Sequence, residues 1–372
     1  EMKVLSALCS TVYTFPPGHY YDGNGQFISF RQISKVTEFN TDSQEKVLSE
    51  IRERLIEAVR KRLVADVPVG YLLSGGLDSS LVCGIAAHVL KKPLVTFAVG
   101  LNQNPIDLPY AKKVADFIHS THHEVLFDRD DTIGCVRDVI WHAETWDITT
   151  IRASIGMYIV CKYIHENSKI KVLLTGEVSD EIFGYKYTDF APNAEEFQKE
   201  SVKRLDELYM YDVLRADRCI SAHSLEARVP FADLDFVSYC MAIPPAMKMN
   251  TYNMGKYLLR KAFDGMNIVP DEILWREKAA FSDAVGHSMV DYLKAEAESL
   301  YSDADVLNAI LKYPNATPFT KESLWYRDIF EEFYPGRSEL IKDFWMPNKS
   351  WQGCDVSDPS ARVLANYGNS GL

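Results

Sequence analysis

No apolar run in this 372-residue chain approaches the roughly 20 residues that cross a bilayer, so no membrane partner is expected. Cysteine is sparse and scattered. Cys9, Cys83, Cys135, Cys161, Cys219, Cys240 and Cys354 are odd in number and never spaced Cys-x-x-Cys. That argues against a zinc site or a disulfide frame and suits the reduced thiols of a cytosol. Positive charge is in deficit as well: 40 Lys and Arg against 52 Asp and Glu leave a net −12. Non-specific nucleic-acid binding is thereby disfavoured, and any polyanionic ligand must be met by a local cluster of cations. The Gly-Lys-Ser/Thr of a Walker A loop is missing, as are Gly-x-Gly-x-x-Gly, internal repeats and low-complexity segments. A signal-peptide pattern is also missing, and a cytoplasmic location is expected. The sequence opens at Glu1 without a methionine, and a longer parent is expected.

What is present reads as ordinary globular protein, 47% hydrophobic and 25% charged. The length suits one large domain with appendages. Residues 1–39 give only short β pieces, at 4–8 and 11–15, and a hairpin with Gly23-Asn24-Gly25 at its tip. From 41 onward, Val47, Ile51, Leu55, Val59 and Leu63 recur every four residues and predict a long amphipathic helix. Strands at 69–73, 94–99, 123–127 and 170–174 then alternate with helices at 79–90, 111–119, 133–144 and 154–165. That alternation predicts an α/β fold with a doubly wound parallel sheet, whose ligands lie beyond the carboxyl ends of the strands. Strand signals stop near 195. Helices at 197–219, 234–241, 256–263, 284–300 and 321–333 predict a C-terminal helical subdomain, and 346–372, rich in Gly, Asn, Ser and Pro, an extended tail.

The stretch around which the chain is organised is Ser74-Gly75-Gly76-Leu77-Asp78-Ser79-Ser80, between the first of these strands and its helix. Strand, glycine turn and helix aim backbone N–H groups and a positive helix end at one point, which suits a phosphate. Two glycines let the backbone approach the anion, the serines add donors, and Asp78 offers a carboxylate to a phosphate-bound metal ion. A ligand-free turn is the plain alternative. Thr175-Gly176-Glu177-Val178-Ser179-Asp180-Glu181 repeats the arrangement at a later strand. Its three carboxylates fit either an acidic helix start or a reactive site. Residues 144–154 are dense in hydrogen-bonding groups. Thr149, Thr150 and Arg152 fit a small carboxylate, Arg152 through two parallel bonds, or else a capped loop between helices. Lys278 fits a phosphate or a surface ion pair. His122-His123 lacks any matching ligand spacing and reads as structural.

The turn at 74–80 resembles the pyrophosphate loop of the N-type ATP pyrophosphatases, which makes adenylation the first hypothesis. Taken with 144–154, 175–181, Glu226-Ala-Arg-Val-Pro-Phe231, 278–283 and Asp358-Pro-Ser-Ala-Arg362, the sequence resembles the glutamine-hydrolysing asparagine synthetases from residue 1 to the tail. The resemblance implies that ATP with Mg2+ activates the side-chain carboxylate of aspartate as β-aspartyl-AMP, releasing pyrophosphate, and that ammonia then displaces AMP. It implies that Ser74, Gly75, Gly76, Asp78 and Ser79 hold the pyrophosphate and that Leu72, Val99 and Gly176 surround the adenosine. Glu177 would manage protons, Lys278 would stabilise phosphate charge, and Thr149, Thr150, Arg152 and Asp180 would position the acid. It further implies domains at 1–39 (the remnant of a glutaminase), 40–345 (an ATP-pyrophosphatase-type synthetase) and 346–372 (tail).

Two departures stand out. Val178 replaces the second glycine of the family's Gly-Glu-Gly-Ser-Asp-Glu, and Phe183-Gly184-Tyr185 is one glycine short of its Phe-Gly-Gly-Tyr. No glutaminase nucleophile is found, and Cys9 is no substitute. Ammonia is therefore expected to serve this polypeptide, glutamine its parent, and a homodimer contact would fall to the missing domain. The rival expectations are another adenylating ligase of the same fold, of β-lactam synthetase or argininosuccinate type, and a nucleotide-binding scaffold without turnover.

Overall fold

The computed structural model describes residue 5 and residues 8–103, 105–277 and 287–367. A short antiparallel hairpin comes first: β1 (His19–Tyr21) pairs β2 (Phe27–Ser29) across a tip where Gly23 and Gly25 take positive φ. Residues 11–15, expected as strand, form none. Helix α1 (Gln44–Arg62) follows its N-cap Ser43 and buries Val47, Ile51, Leu55 and Val59 completely. That is the four-residue stripe read from the sequence.

The central sheet is parallel throughout. Its strands are β3 (Val69–Leu72), β4 (Val95–Leu101), β5 (Thr121–Phe127), β6 (Val172–Leu174) and β7 (Glu226–Arg228), in the order β5-β4-β3-β6-β7. Helices α2 (Leu77–Leu90) and α3 (Leu108–Phe117) lead the chain outward from β3 to β5. Helices α4 (Arg129–Gly134), α5 (Val136–Ala143) and α6 (Ile148–Asn167) bring it back to β6, on the other side of β3. Strand order thus reverses at β3, where open α/β sheets keep their ligand crevice.

Residues alternate between the two faces along each strand, as the pleat requires. Tyr71, Leu73, Ala98, Val172 and Leu174 pack with α1, α2 and α3, whereas Phe97, Val99, Leu101, Val125 and Leu173 pack with α5 and α6. Each face is thickened by later helices. Helix α7 (Ser179–Phe183) leaves β6, and α8 (Ala194–Asp206) and α9 (Asp212–Ser221) follow. After β7 come α10 (Leu234–Ala242), α11 (Pro245–Lys248), α12 (Tyr257–Phe263) and α13 (Asp271–Leu274). The last helices described are α14 (His287–Leu300), α15 (Asp303–Lys312) and α16 (Lys321–Phe333).

Four further expectations are corrected. Residues 197–219 are not one helix, because a 3-10 turn at Leu208–Met210 separates α8 from α9. Residues 133–144 likewise divide, between α4 and α5 at Cys135. Strands do not stop near 195: Glu226-Ala227-Arg228 closes the sheet edge as β7. Its charged residues suit an edge and hide the strand from an apolar pattern. Finally, 144–154 is not an interhelical loop, since α6 begins at Ile148 and carries Thr149, Thr150 and Arg152 on its first turns.

Candidate active site

Register places the two motif turns side by side. Tyr71 pairs Thr96 and Leu174, so β3 and β6 end level and their turns open into the same crevice. Gly75 has φ +76°, and a Cβ there would come within 2.4 Å of the Ala111 nitrogen. Only glycine fits that turn. A Cβ on Gly176 would lie 2.7 Å from the Ser79 nitrogen, so the second turn touches the first, backbone to backbone. Ser74 and Ser79 hold the loop shut, with their hydroxyls 2.9 Å apart and the Ser74 N–H donating to Ser79 Oγ at 3.1 Å. Helix α2 starts at Leu77 and directs its N-terminus here.

A lysine not signalled by either motif links the two turns. Lys256 stands before α12 with φ +59°, is buried, and places Nζ 2.8 Å from both oxygens of Asp78 and 2.6 Å from Asp180 Oδ1. Ser179 Oγ donates to Asp78 Oδ1 at 2.8 Å. Two carboxylates from different strand ends therefore converge on one cation. Mg2+ is usually held by one or two carboxylates together with substrate phosphates, and Asp78 and Asp180 fit that donor set. Among the described residues no group of three or more His, Cys, Asp or Glu side chains gathers as a metal cage. Arg276 donates to the Gly75 carbonyl at 3.2 Å, pairs with Asp107 and stacks 3.6 Å from the Tyr110 ring, adding positive charge beside the loop. Arg260 also lines the crevice, with burial pushing its guanidinium down to about 10.

Of the residues expected at the site, Leu72, Ser74, Gly76, Asp78, Ser79 and Val99 line the crevice on one side. Thr149, Arg152, Gly176, Glu177 and Asp180 line it as well. Glu177 is gripped by Arg215 from α9, at 2.7 and 3.3 Å. Glu181 faces Asp212, Asp180 and Glu177, and burial first, then those carboxylates, raises its carboxyl well above the ordinary range. Thr149 Oγ1 and the buried Thr175 Oγ1 face the crevice with no hydrogen-bond partner. Thr150 is different: its N–H and hydroxyl both donate to Asp147, the N-cap of α6, at 2.8 and 2.7 Å, and it does not line the crevice. Arg152 differs from expectation too. Its fork is filled by Glu322 at 2.9 and 2.6 Å and by Asp358 at 2.9 and 3.3 Å, so a substrate carboxylate would have to displace one of them. Lys278 lies outside the described residues.

Lys256, Arg215 and Glu322 were not signalled because Arg215 and Glu322 act from helices remote in sequence and Lys256 from the position before α12, and nothing local marks them. The tail residues Pro359, Ser360 and Ala361 also line the crevice.

A parallel sheet, a glycine turn at its switch point and convergent cations define a doubly wound α/β protein whose turn at the carboxyl edge has the form that suits an anion. The asparagine synthase family pattern matches residues 50–195 and 189–357, and the chain belongs to that family. The glutamine-hydrolyzing asparagine synthetase of Homo sapiens is 46% identical over 332 residues, covering 87% of this chain and 58% of the relative. That of Gallus gallus is 46% identical over 400 residues, covering 99% and 70%, and the probable enzyme of Schizosaccharomyces pombe is 42% identical over 396 residues with the same coverage. The chain thus spans 58% of the length of the human relative. Among solved structures, an NMN synthetase from Francisella tularensis overlays 82% of this chain and 99% of its own at TM-score 0.34 and 12% identity. No described helix is long and apolar enough to cross a membrane.

Proposed function

We propose that this chain carries out ATP-dependent formation of asparagine from aspartate through β-aspartyl-AMP. The observation that carries the reading is the contact of the two turns, the anion cradle at Ser74–Ser79 lying against Gly176-Glu177 with Lys256 between them. Leu72, Val99 and Gly176 are proposed to wall the adenosine, and Ser74, Gly75, Gly76 and Ser79 to cradle the pyrophosphate. Asp78 and Asp180 would hold Mg2+, which supplies charge neutralisation to the phosphates. An oxygen of the aspartate side-chain carboxylate attacks the α-phosphorus, and the bond to the β-phosphate oxygen breaks. The growing negative charge meets donors fixed beforehand: the α2 N-terminus, the serine hydroxyls, Lys256 and, by resemblance, Lys278.

Ammonia nitrogen then bonds to the acyl carbon, and AMP departs with the electrons of the C–O bond. Glu177, oriented by Arg215, takes the proton that nitrogen must lose. Thr149 offers an unpartnered hydroxyl to the acid. Thr150 and Arg152 are proposed to position it indirectly, through the α6 cap and the Glu322 and Asp358 contacts.

The test is pyrophosphate release with ATP, Mg2+, ammonia and each candidate acid. Release that requires aspartate and yields asparagine supports the reading. Release with another acid points to a different ligase of this fold, and ATP binding without release to a scaffold. Glu177→Gln is expected to keep aspartate-dependent pyrophosphate release within a few-fold while amide formation falls roughly 100-fold or more. Equal loss of both steps would remove Glu177 from the proton role. Ammonia is proposed as the nitrogen donor of this polypeptide. Buried Cys83, Cys161, Cys219 and Cys240 have thiols pushed up by desolvation, which suits none of them to attack glutamine. Glutamate appearing from glutamine would overturn that.

A further inference from the structure

The tail is built into the crevice, and its anchor is the guanidinium that sequence alone would give to the substrate. Pro359, Ser360 and Ala361 form part of the wall beside Thr149 and Arg152, with Ser360 and Ala361 almost fully buried. The segment is fixed from both ends. On one side Asp358 accepts from Arg152 at 2.9 and 3.3 Å and from Lys294 at 2.6 Å, and its Oδ1 also takes the Ser360 N–H at 2.7 Å. Burial pushes the Asp358 carboxyl up, but Arg152 and Lys294 outweigh it and hold it well below the usual range. Arg152 is itself locked by Glu322, which also accepts from the Tyr326 hydroxyl at 2.9 Å. On the other side Trp351, Cys354 and Leu364 are buried with Tyr187 in a small aromatic cluster, and Asn366 donates to the Lys186 carbonyl at 2.7 Å.

A wall clamped in this way fixes the length of what fits between it and the reacting turns. We infer that residues 358–361 are the specificity wall for the acid substrate, admitting a short amino dicarboxylic acid and excluding one a methylene longer, with Arg152 and Asp358 as positioning residues. This inference rests on the adenylation reading above. It gives the tail a role in choosing the acid and none in binding ATP.

Two variants test it by steady-state pyrophosphate release, with aspartate and glutamate as alternative acids. In Ser360→Gly/Ala361→Gly the wall loses the two side chains of Ser360 and Ala361. The kcat/KM ratio of glutamate to aspartate is expected to rise at least 10-fold, the scale on which one methylene is discriminated, with KM for ATP unchanged within two-fold. Lys294→Met leaves the crevice lining untouched and replaces a half-exposed side chain, so the fold is retained. It is expected to raise KM for aspartate about 3-fold without lowering kcat, and Lys294→Arg to restore it. An unchanged acid ratio, or KM for ATP moving with KM for aspartate, overturns the wall. Failure of the unaltered chain to release pyrophosphate with aspartate overturns the adenylation reading instead, so the two failures are distinguishable.

Discussion

Val178 holds φ at +78° between Glu177 and Ser179, in a region that β-branched residues rarely enter, and it is buried against the core. The left-handed conformation costs about 1–2 kcal/mol, whereas the buried side chain contributes about 2 kcal/mol, so packing offsets the strain. Helix α7 depends on that turn to bring Asp180 to Lys256. The family's glycine at this position marks the same backbone need met without a side chain. Val178→Ala keeps the strain and loses packing, while Val178→Gly loses packing but relieves the strain. The glycine variant is therefore expected to be the more stable of the two by about 1 kcal/mol, reversing the usual order of Ala over Gly. Thermal melts of both variants check this, and an alanine variant melting at or above the glycine variant would refute the account.

At the scale of elements, the start of α6 shows why residues 144–154 also fit a capped loop when taken from sequence. Residues 144–154 carry three Thr with Asp147 and Ser154, residue types that favour caps and turns. The helix nonetheless begins at Ile148 because Asp147 caps it, accepting from Thr150 N–H and Oγ1, and it also takes the Trp345 N–H at 2.7 Å from the segment that follows α16. One buried carboxylate thus fixes both the helix that presents Thr149 and Arg152 and the chain that leads into the tail. Asp147→Ala leaves these donors without an acceptor. It is expected to cost about 3 kcal/mol, a lost cap plus an unpaired buried N–H, and to lower the melting temperature by several degrees. A melting point within a degree of the unaltered chain would show that the cap does not hold this junction.

Taken as a whole, the molecule was most legible where its sequence periods are strong. The four-residue stripe of α1 and the first four parallel strands, β3 to β6, follow from apolar spacing, and so does the meeting of residues 74–80 with 175–181 at strand ends. Lys256, Arg215 and Glu322 were not legible, because their positions come from packing between distant elements and their local sequences read as ordinary charged surface; Asp358-Pro-Ser-Ala-Arg362 was legible as a motif, but its place in the crevice wall was not. Lys248, a residue of α11, likewise has no local sign of burial in its sequence. It is buried, and among the described residues it donates only to the Cys240 carbonyl, at 3.2 Å. Desolvation lowers its ammonium from the ordinary 10.5 to about 8. Between those values the unfolded chain binds the proton more tightly, so stability rises with pH through this window and is lost as pH falls toward 8. The displacement corresponds to about 3 kcal/mol. Lys248→Met keeps the volume, and the Cys240 carbonyl retains the Ile243 N–H at 3.3 Å, so little is lost in exchange. The variant is expected to be more stable than the unaltered chain at pH 7, by up to about 3 kcal/mol, with the gap closing as pH approaches 10.5. Paired denaturant titrations at pH 7, 9 and 10.5 measure that gap. A gap that stays constant across the series would mean that the ammonium reaches water, and that this part of the core tolerates a charge because it is never sealed from solvent.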